Sequence, residues 1–205
     1  MNYQGIMFDA LIMKEWLRIT GKDTGAGLKY IPTDQLINIT DLDLFAKNEH
    51  GLVYASRLLH EDAFWDTMFW CKRFNVKRAL QFSDLQGNVN VQKGRFKSYK
   101  EKLSTLNTNE AWFYFAVDND NQYDRIAQCL KRIRFLGKKT STGNGECELI
   151  GISEASDDVW KEIIRPIPMR MIQDKEKVTH ISYVNWQPPY WQSNNQELCA
   201  VEGTL

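Results

Sequence analysis

An α+β fold is predicted, and three stretches in the second half of the chain predict it. Residues 111–117 (AWFYFAV) have the aromatic and β-branched content of a strand, and Asp118, Asn119, Asp120 and Asn121 supply the turn after it. Residues 123–135 place Ile126, Leu130 and Ile133 on one helical face, leaving Arg125 and Arg132 for the other. Residues 146–153 alternate like a strand, with Cys147, Leu149 and Gly151 on one side and Glu148, Ile150 and Ile152 on the other. A basic glycine-rich loop, residues 137–145, lies between that helix and that strand. Strand, helix, glycine-rich loop and strand form the second half of a ferredoxin-like βαββαβ unit.

The first half is read by the same rules. Leu11, Ile12 and Trp16 share a stripe in a helix predicted over residues 6–19, which Gly21, Gly25 and Gly27 end. Residues 30–39 hold short apolar stretches, residues 52–56 read as a short strand, and residues 88–91 alternate as a half-buried strand does. His60, Glu61 and Asp62 fall at an expected helix start, where acidic side chains suit the dipole. Phe64, Trp65, Phe69 and Trp70 read first as core or packing surface. Asp157 and Asp158 mark another helix N-terminus. From Trp160 onward, Arg165-Pro166-Ile167-Pro168 and Gln187-Pro188-Pro189-Tyr190-Trp191 argue against regular structure. The expected organisation is a ferredoxin-like domain over residues 1–158 with insertions. An irregular Pro- and Trp-rich extension, residues 159–205, is expected to pack on it.

Composition fits a globular protein, with 43% hydrophobic and 25% charged residues. No apolar run reaches the length of a membrane span and no signal peptide is recognisable, so a cytoplasmic location is expected. Cys71, Cys129, Cys147 and Cys199 form no C-x-x-C pair and are expected to be reduced and mostly buried. The formal net charge of zero hides an asymmetry. Residues 72–139 carry fifteen Lys and Arg against six Asp and Glu, a net +9 that the rest of the chain balances with −9. A block this basic attracts phosphates if it gathers on one face.

Two segments have the chemistry for such a ligand. In Gly137-Lys138-Lys139-Thr140-Ser141-Thr142-Gly143-Asn144-Gly145, glycines allow close backbone approach, successive N–H groups can form an anion nest, and Lys and hydroxyl donors reach phosphate oxygens. A nucleotide-hydrolysing P-loop would run from strand to helix with Lys after its last Gly, and this loop has neither feature. In Lys93-Gly94-Arg95-Phe96-Lys97-Ser98-Tyr99-Lys100, cations alternate with aromatics, so phosphates can pair while unstacked bases lie on Phe96 or Tyr99. The competing reading is an exposed hairpin strand with both rings in the core. His50, His60 and His180 stand in no ligand or triad spacing, no G-x-S-x-G elbow is present, and no cofactor or metal is expected.

The ordered set of motifs resembles the RAMP proteins of CRISPR-Cas systems. More narrowly it resembles the third Csf subunit of type IV effector complexes, the counterpart of the family-five Cas proteins. The similarity runs from about Gly5 to Trp191. It is carried by Phe8-Asp9-Ala10-Leu11, by Tyr54-Ala55-Ser56 and by Gly94-Arg95-Phe96-Lys97-Ser98-Tyr99. The 135–145 loop segment and Arg165-Pro166-Ile167-Pro168 complete it. The resemblance implies a ferredoxin-like fold and a non-catalytic subunit that binds the repeat-derived 5′ handle of a CRISPR RNA. It also implies a cap on one end of a complex, beside backbone and large subunits, with target DNA left open as a further partner. RNA contact carries over to Arg95, Lys97, Tyr99, Lys138, Lys139, Ser141, Gly143 and Gly145. Two alternatives stay open: a metal-independent endoribonuclease using His60 or Tyr99, and a scaffold whose Trp65–Trp70 and Trp186–Trp191 segments bind protein. The family's fold opens with a strand before the first helix, and Met1 to Gln4 leaves little room for it, so the expectation is that either the reading frame is longer at its start or the sheet lacks that strand.

Overall fold

The computed structural model describes residues 5–21, 43–82, 92, 97–137, 144–188, 190 and 196–204. In chain order its regular elements are α1 (Phe8–Ile19), β1 (Leu59–His60), β2 (Phe64–Lys72), α2 (Val76–Phe82), β3 (Tyr99–Asn107), β4 (Ala111–Trp112), α3 (Asp120–Leu130), β5 (Ile167–Pro168), β6 (Val178–Asn185) and β7 (Gln196–Gly203). The architecture is α+β, with small antiparallel sheets. The chain divides into two compact units, Met1–Leu59 with Trp112–Leu205, and His60–Ala111. No described helix is long and apolar enough to cross a membrane.

The first unit is built around α1 and α3. Phe8 and Ile12 are buried on one face of α1, in a core shared with Phe45, Ala55, Ile126 and Cys129. The Phe8 ring lies 4.9 Å from that of Phe113 and 5.2 Å from that of Phe115. Burying such a ring contributes roughly 1.5–3 kcal/mol. Helix α3 begins where the Asn119 side chain accepts the Gln122 N–H at 3.0 Å, an N-cap that satisfies one orphan donor. Gln122 is itself buried, and its amide donates to Asp43 at 2.9 Å while accepting from the Asp118 N–H at 2.6 Å. The two basic residues expected on the solvent side of this helix are engaged. Arg132 pairs with Glu15 on α1 at 3.0 Å, and the Arg125 guanidinium sits 5.5 Å from the Trp16 ring centre.

Several expectations are corrected. Residues 111–117 form a strand only at β4, because the backbone beyond it is divided among several neighbours. Ser56 N–H donates to Tyr114 O at 2.8 Å, Ala116 N–H to Tyr54 O at 2.9 Å and Ala46 N–H to Ala116 O at 2.9 Å. The 146–153 segment pairs only at its start, where Glu146 lies opposite Phe135 and Cys147 N–H donates to Arg134 O, since no described strand lies beside the rest. Among the described residues no strand element precedes α1, although Phe8 N–H donates to Ser56 O and Leu58 N–H to Ile6 O, pairing residues 6–8 with 56–58. The helix start expected at His60 is instead a strand end. Asp62 there takes a positive φ of 49°, turning the chain into β2.

The C-terminal extension is regular rather than irregular. β5, β7 and β6 make a three-stranded antiparallel sheet in that order. The prolines do not oppose this, because Pro168 ends the edge strand β5 and Pro188 lies in the connection between β6 and β7. Ile167, Val184, Cys199, Ala200 and Val201 of this sheet bury against Leu52, Ile163, Ile172 and Trp186. All four cysteines are free. Cys129 and Cys199 are buried, Cys147 is half-buried and Cys71 is exposed. Burial first, and then the nearby Glu197 carboxylate, push the Cys199 thiol up to about 12, while burial and Glu15 push Cys129 up to about 11. Both are protonated and unreactive near neutral pH.

One buried charge ties α1 to the C-terminal residues of the same unit. Arg165, 3% exposed, reaches Asp9 at 3.3 Å and donates to the carbonyls of Val53 (2.6 Å), Ala55 (3.1 Å) and Trp186 (2.8 Å). The Tyr190 hydroxyl donates to Asp9 at 2.8 Å and accepts from Arg165 at 3.2 Å. Burial works to lower the guanidinium pKa, but Tyr190 and Asp9 outweigh it and raise the value. Burial and Asp9 hold the Tyr190 phenol well above its ordinary value.

A candidate nucleic-acid interface

The glycine-rich loop stands on a short ladder in the first unit. Leu136 N–H donates to Gly145 O at 2.8 Å and Cys147 N–H to Arg134 O at 2.9 Å, with Phe135 opposite Glu146. Gly137 and Gly145 both take left-handed backbone, at φ 87° and 71°. A side chain at Gly145 would put its Cβ 1.9 Å from Leu136 O, so only glycine closes this ladder. Gly145 therefore has a structural requirement in addition to the RNA contact expected of it. Lys138, Lys139, Ser141 and Gly143 lie outside the described residues, as does Arg95.

The second unit carries the antiparallel pair β2–β3. Its register sets Phe64 opposite Asn107 and Lys72 opposite Tyr99, with Phe69 opposite Lys102 and Cys71 opposite Lys100. Side chains alternate across a strand, so this register divides the residues between two faces. Trp65 and Phe69 share one face with Lys100 and Lys102. Asp66 and Glu101, the acidic residues of the two strands, fall on the other. That other face also holds the half-buried Met68, Trp70 and Leu103.

The basic face is open. Trp65 is 72% exposed and Phe69 54%, so of the two expected readings, core and packing surface, core does not hold for them. Lys100 Nζ stands 4.3 Å from the centre of the Phe69 ring, a cation–π contact that holds a positive charge beside an aromatic plane. Four residues at about 3.4 Å each separate Trp65 from Phe69 by about 14 Å along the strand. Two aromatic planes so spaced, flanked by cations and by no acid, provide stacking surface and phosphate attraction together.

Of the residues expected to contact RNA, Lys97 and Tyr99 lie in this unit. Lys97 is exposed just before β3. Tyr99 opens β3 on the face opposite Trp65, and its hydroxyl accepts the Trp70 indole N–H at 3.1 Å. Tyr99 thus sits beside a partner ring, exposed rather than in the core. Trp65, Phe69, Lys100 and Lys102 were not expected as a set. The signal that finds them is the cross-strand register, which no single-strand pattern contains.

Residues 42–202 match the family model of the CRISPR type IV associated protein Csf3. The chain belongs to the Csf3 family. The match takes in both units and the loop, and the Phe8-Asp9-Ala10-Leu11 segment lies before it. No curated protein matches the chain. Membership makes it a type IV CRISPR-associated subunit that belongs with the other subunits of that complex.

Proposed function

We propose that the chain is a non-catalytic RNA-binding subunit of the type IV effector, holding the 5′ handle of the CRISPR RNA and closing one end of the complex beside its backbone and large subunits. The observation that carries this reading is the two-faced β2–β3 pair, which gathers Trp65, Phe69, Lys100 and Lys102 and sends both acids away. A protein-docking surface would be expected to shed lysine from its centre, whereas a single-stranded nucleic acid uses aromatic planes and cations jointly. The ferredoxin-like RAMP arrangement, and RNA contact at Arg95, Lys97, Tyr99, Lys138, Lys139, Ser141, Gly143 and Gly145, belong to the same proposal. In it the loop holds backbone phosphates and the hairpin stacks bases.

Salt dependence tests the loop. Affinity for a handle-bearing RNA should fall with salt, with a log-log slope of about −0.7 for each phosphate neutralised. Lys138→Glu with Lys139→Glu should weaken binding and flatten that slope by about 1.4, the share of two phosphate contacts. Equal affinity and equal slope in the double variant would remove the loop from the interface.

A further inference from the structure

The run that follows the loop ladder has strand sequence and, among the described residues, no strand partner. After Cys147 N–H donates to Arg134 O, the backbone of residues 148–155 makes no hydrogen bond among the described residues. It forms neither turn nor bend before the 3-10 helix Asp157–Lys161. Its apolar side chains face solvent, with Ile150 88% exposed and Leu149 and Ile152 exposed beside it. Globular surfaces tolerate single exposed aliphatics, but three within four residues on an unpaired backbone resemble a free sheet edge. The same run is acidic. Glu146, Glu148, Glu154, Asp157 and Asp158 occur with no Lys or Arg between Glu146 and Trp160.

These features together select the occupant. Unused N–H and C=O groups call for another backbone, apolar side chains at alternate positions call for pockets, and five carboxylates repel phosphate and favour a basic rim. We propose that residues 147–153 are a docking strand, completed by strand addition from a neighbouring protein subunit of the type IV complex whose sheet edge is flanked by Lys or Arg. Ile150 and Ile152, on one side of the strand, fill that subunit's apolar pockets. Glu148 and Glu154 meet its cations, while Asp158 is held by Lys161 in the short helix that follows. RNA phosphates are repelled from this surface by its carboxylates. The proposal stands on different residues from the RNA reading and survives if that reading fails.

The test uses the complex reconstituted from purified subunits around the full chain. Ile150→Asp with Ile152→Asp should cut retention of one protein subunit at least tenfold, given two buried aliphatic anchors lost. Gly151→Pro, which removes a ladder donor without touching either anchor, should also weaken retention. The thermal transition of the chain by itself should stay where it is in both variants. A photoreactive residue at position 150 should crosslink to that same subunit. Undiminished retention overturns the proposal. So does a lowered thermal transition of the chain alone, which would mean the chain covers this run itself. A crosslink to RNA or to a second copy of the chain also overturns it.

Discussion

Replacing Arg165 by methionine is expected to lower stability by about 3–5 kcal/mol, the cost of leaving one partner of a buried pair without the other. Arg165 and Asp9 both lie away from solvent, and the guanidinium also serves the carbonyls of Val53, Ala55 and Trp186, so its removal strands several buried acceptors at once. For a chain of this size the loss corresponds to a fall of about 6–20 °C in the melting temperature, at about 2–4 °C per kcal/mol. A second variant separates charge from packing. Asp9→Asn with Arg165→Met should recover part of the loss, because no uncompensated charge then stays buried. Denaturant titration of the two variants checks this. A loss under about 1 kcal/mol in the single variant would mean that Arg165 is not the tie between α1 and the C-terminal residues.

Trp65→Ala with Phe69→Ala should weaken binding of single-stranded handle RNA by at least about thirtyfold, since base–aromatic stacking is worth about 1–3 kcal/mol for each ring. Because neither residue is charged, the salt slope should not change. Lys100→Ala with Lys102→Ala should do the reverse, weakening binding modestly while flattening the slope by about 1.4. The exposure of both rings makes the aromatic pair a clean test, as little burial within the fold is lost with them. Unchanged affinity with intact folding would assign this face to a protein partner instead.

The parts of the fold legible in the sequence are those whose signal is local. Leu11, Ile12 and Trp16 announce α1, Ile126 and Leu130 announce α3, which starts three residues earlier and ends five earlier than predicted, and Ser156 caps the short helix at Asp157–Lys161 where the acidic pair pointed. What escaped depends on neighbours distant in sequence. The aromatic content of residues 64–70 says strand or core equally well, and only the pairing with β3 turns Trp65 and Phe69 outward on one face. Residues 178–185 and 196–203 are obscured in the sequence by the prolines around them, although Pro168 lies in an edge strand and Pro188 in a connection, where proline is tolerated. In the sequence Arg165 stands out only as the neighbour of Pro166 and Pro168. Nothing local distinguishes an arginine that will be buried against Asp9, 156 residues away, from one that solvates a surface. The strand character of residues 146–153 is legible in the sequence, but a strand needs a second backbone, and among the described residues only 134–136 supply one, at the start of the run.

The central claim, that this subunit holds the 5′ end of a CRISPR RNA, is tested most directly by sequencing the RNA that copurifies with the assembled complex. The expected result is small RNAs sharing one repeat-derived 5′ end, reduced in yield when Lys138 and Lys139 are both reversed to glutamate. Cellular RNA without a common 5′ end, or an unchanged yield of handle-bearing RNA in that variant, would contradict it.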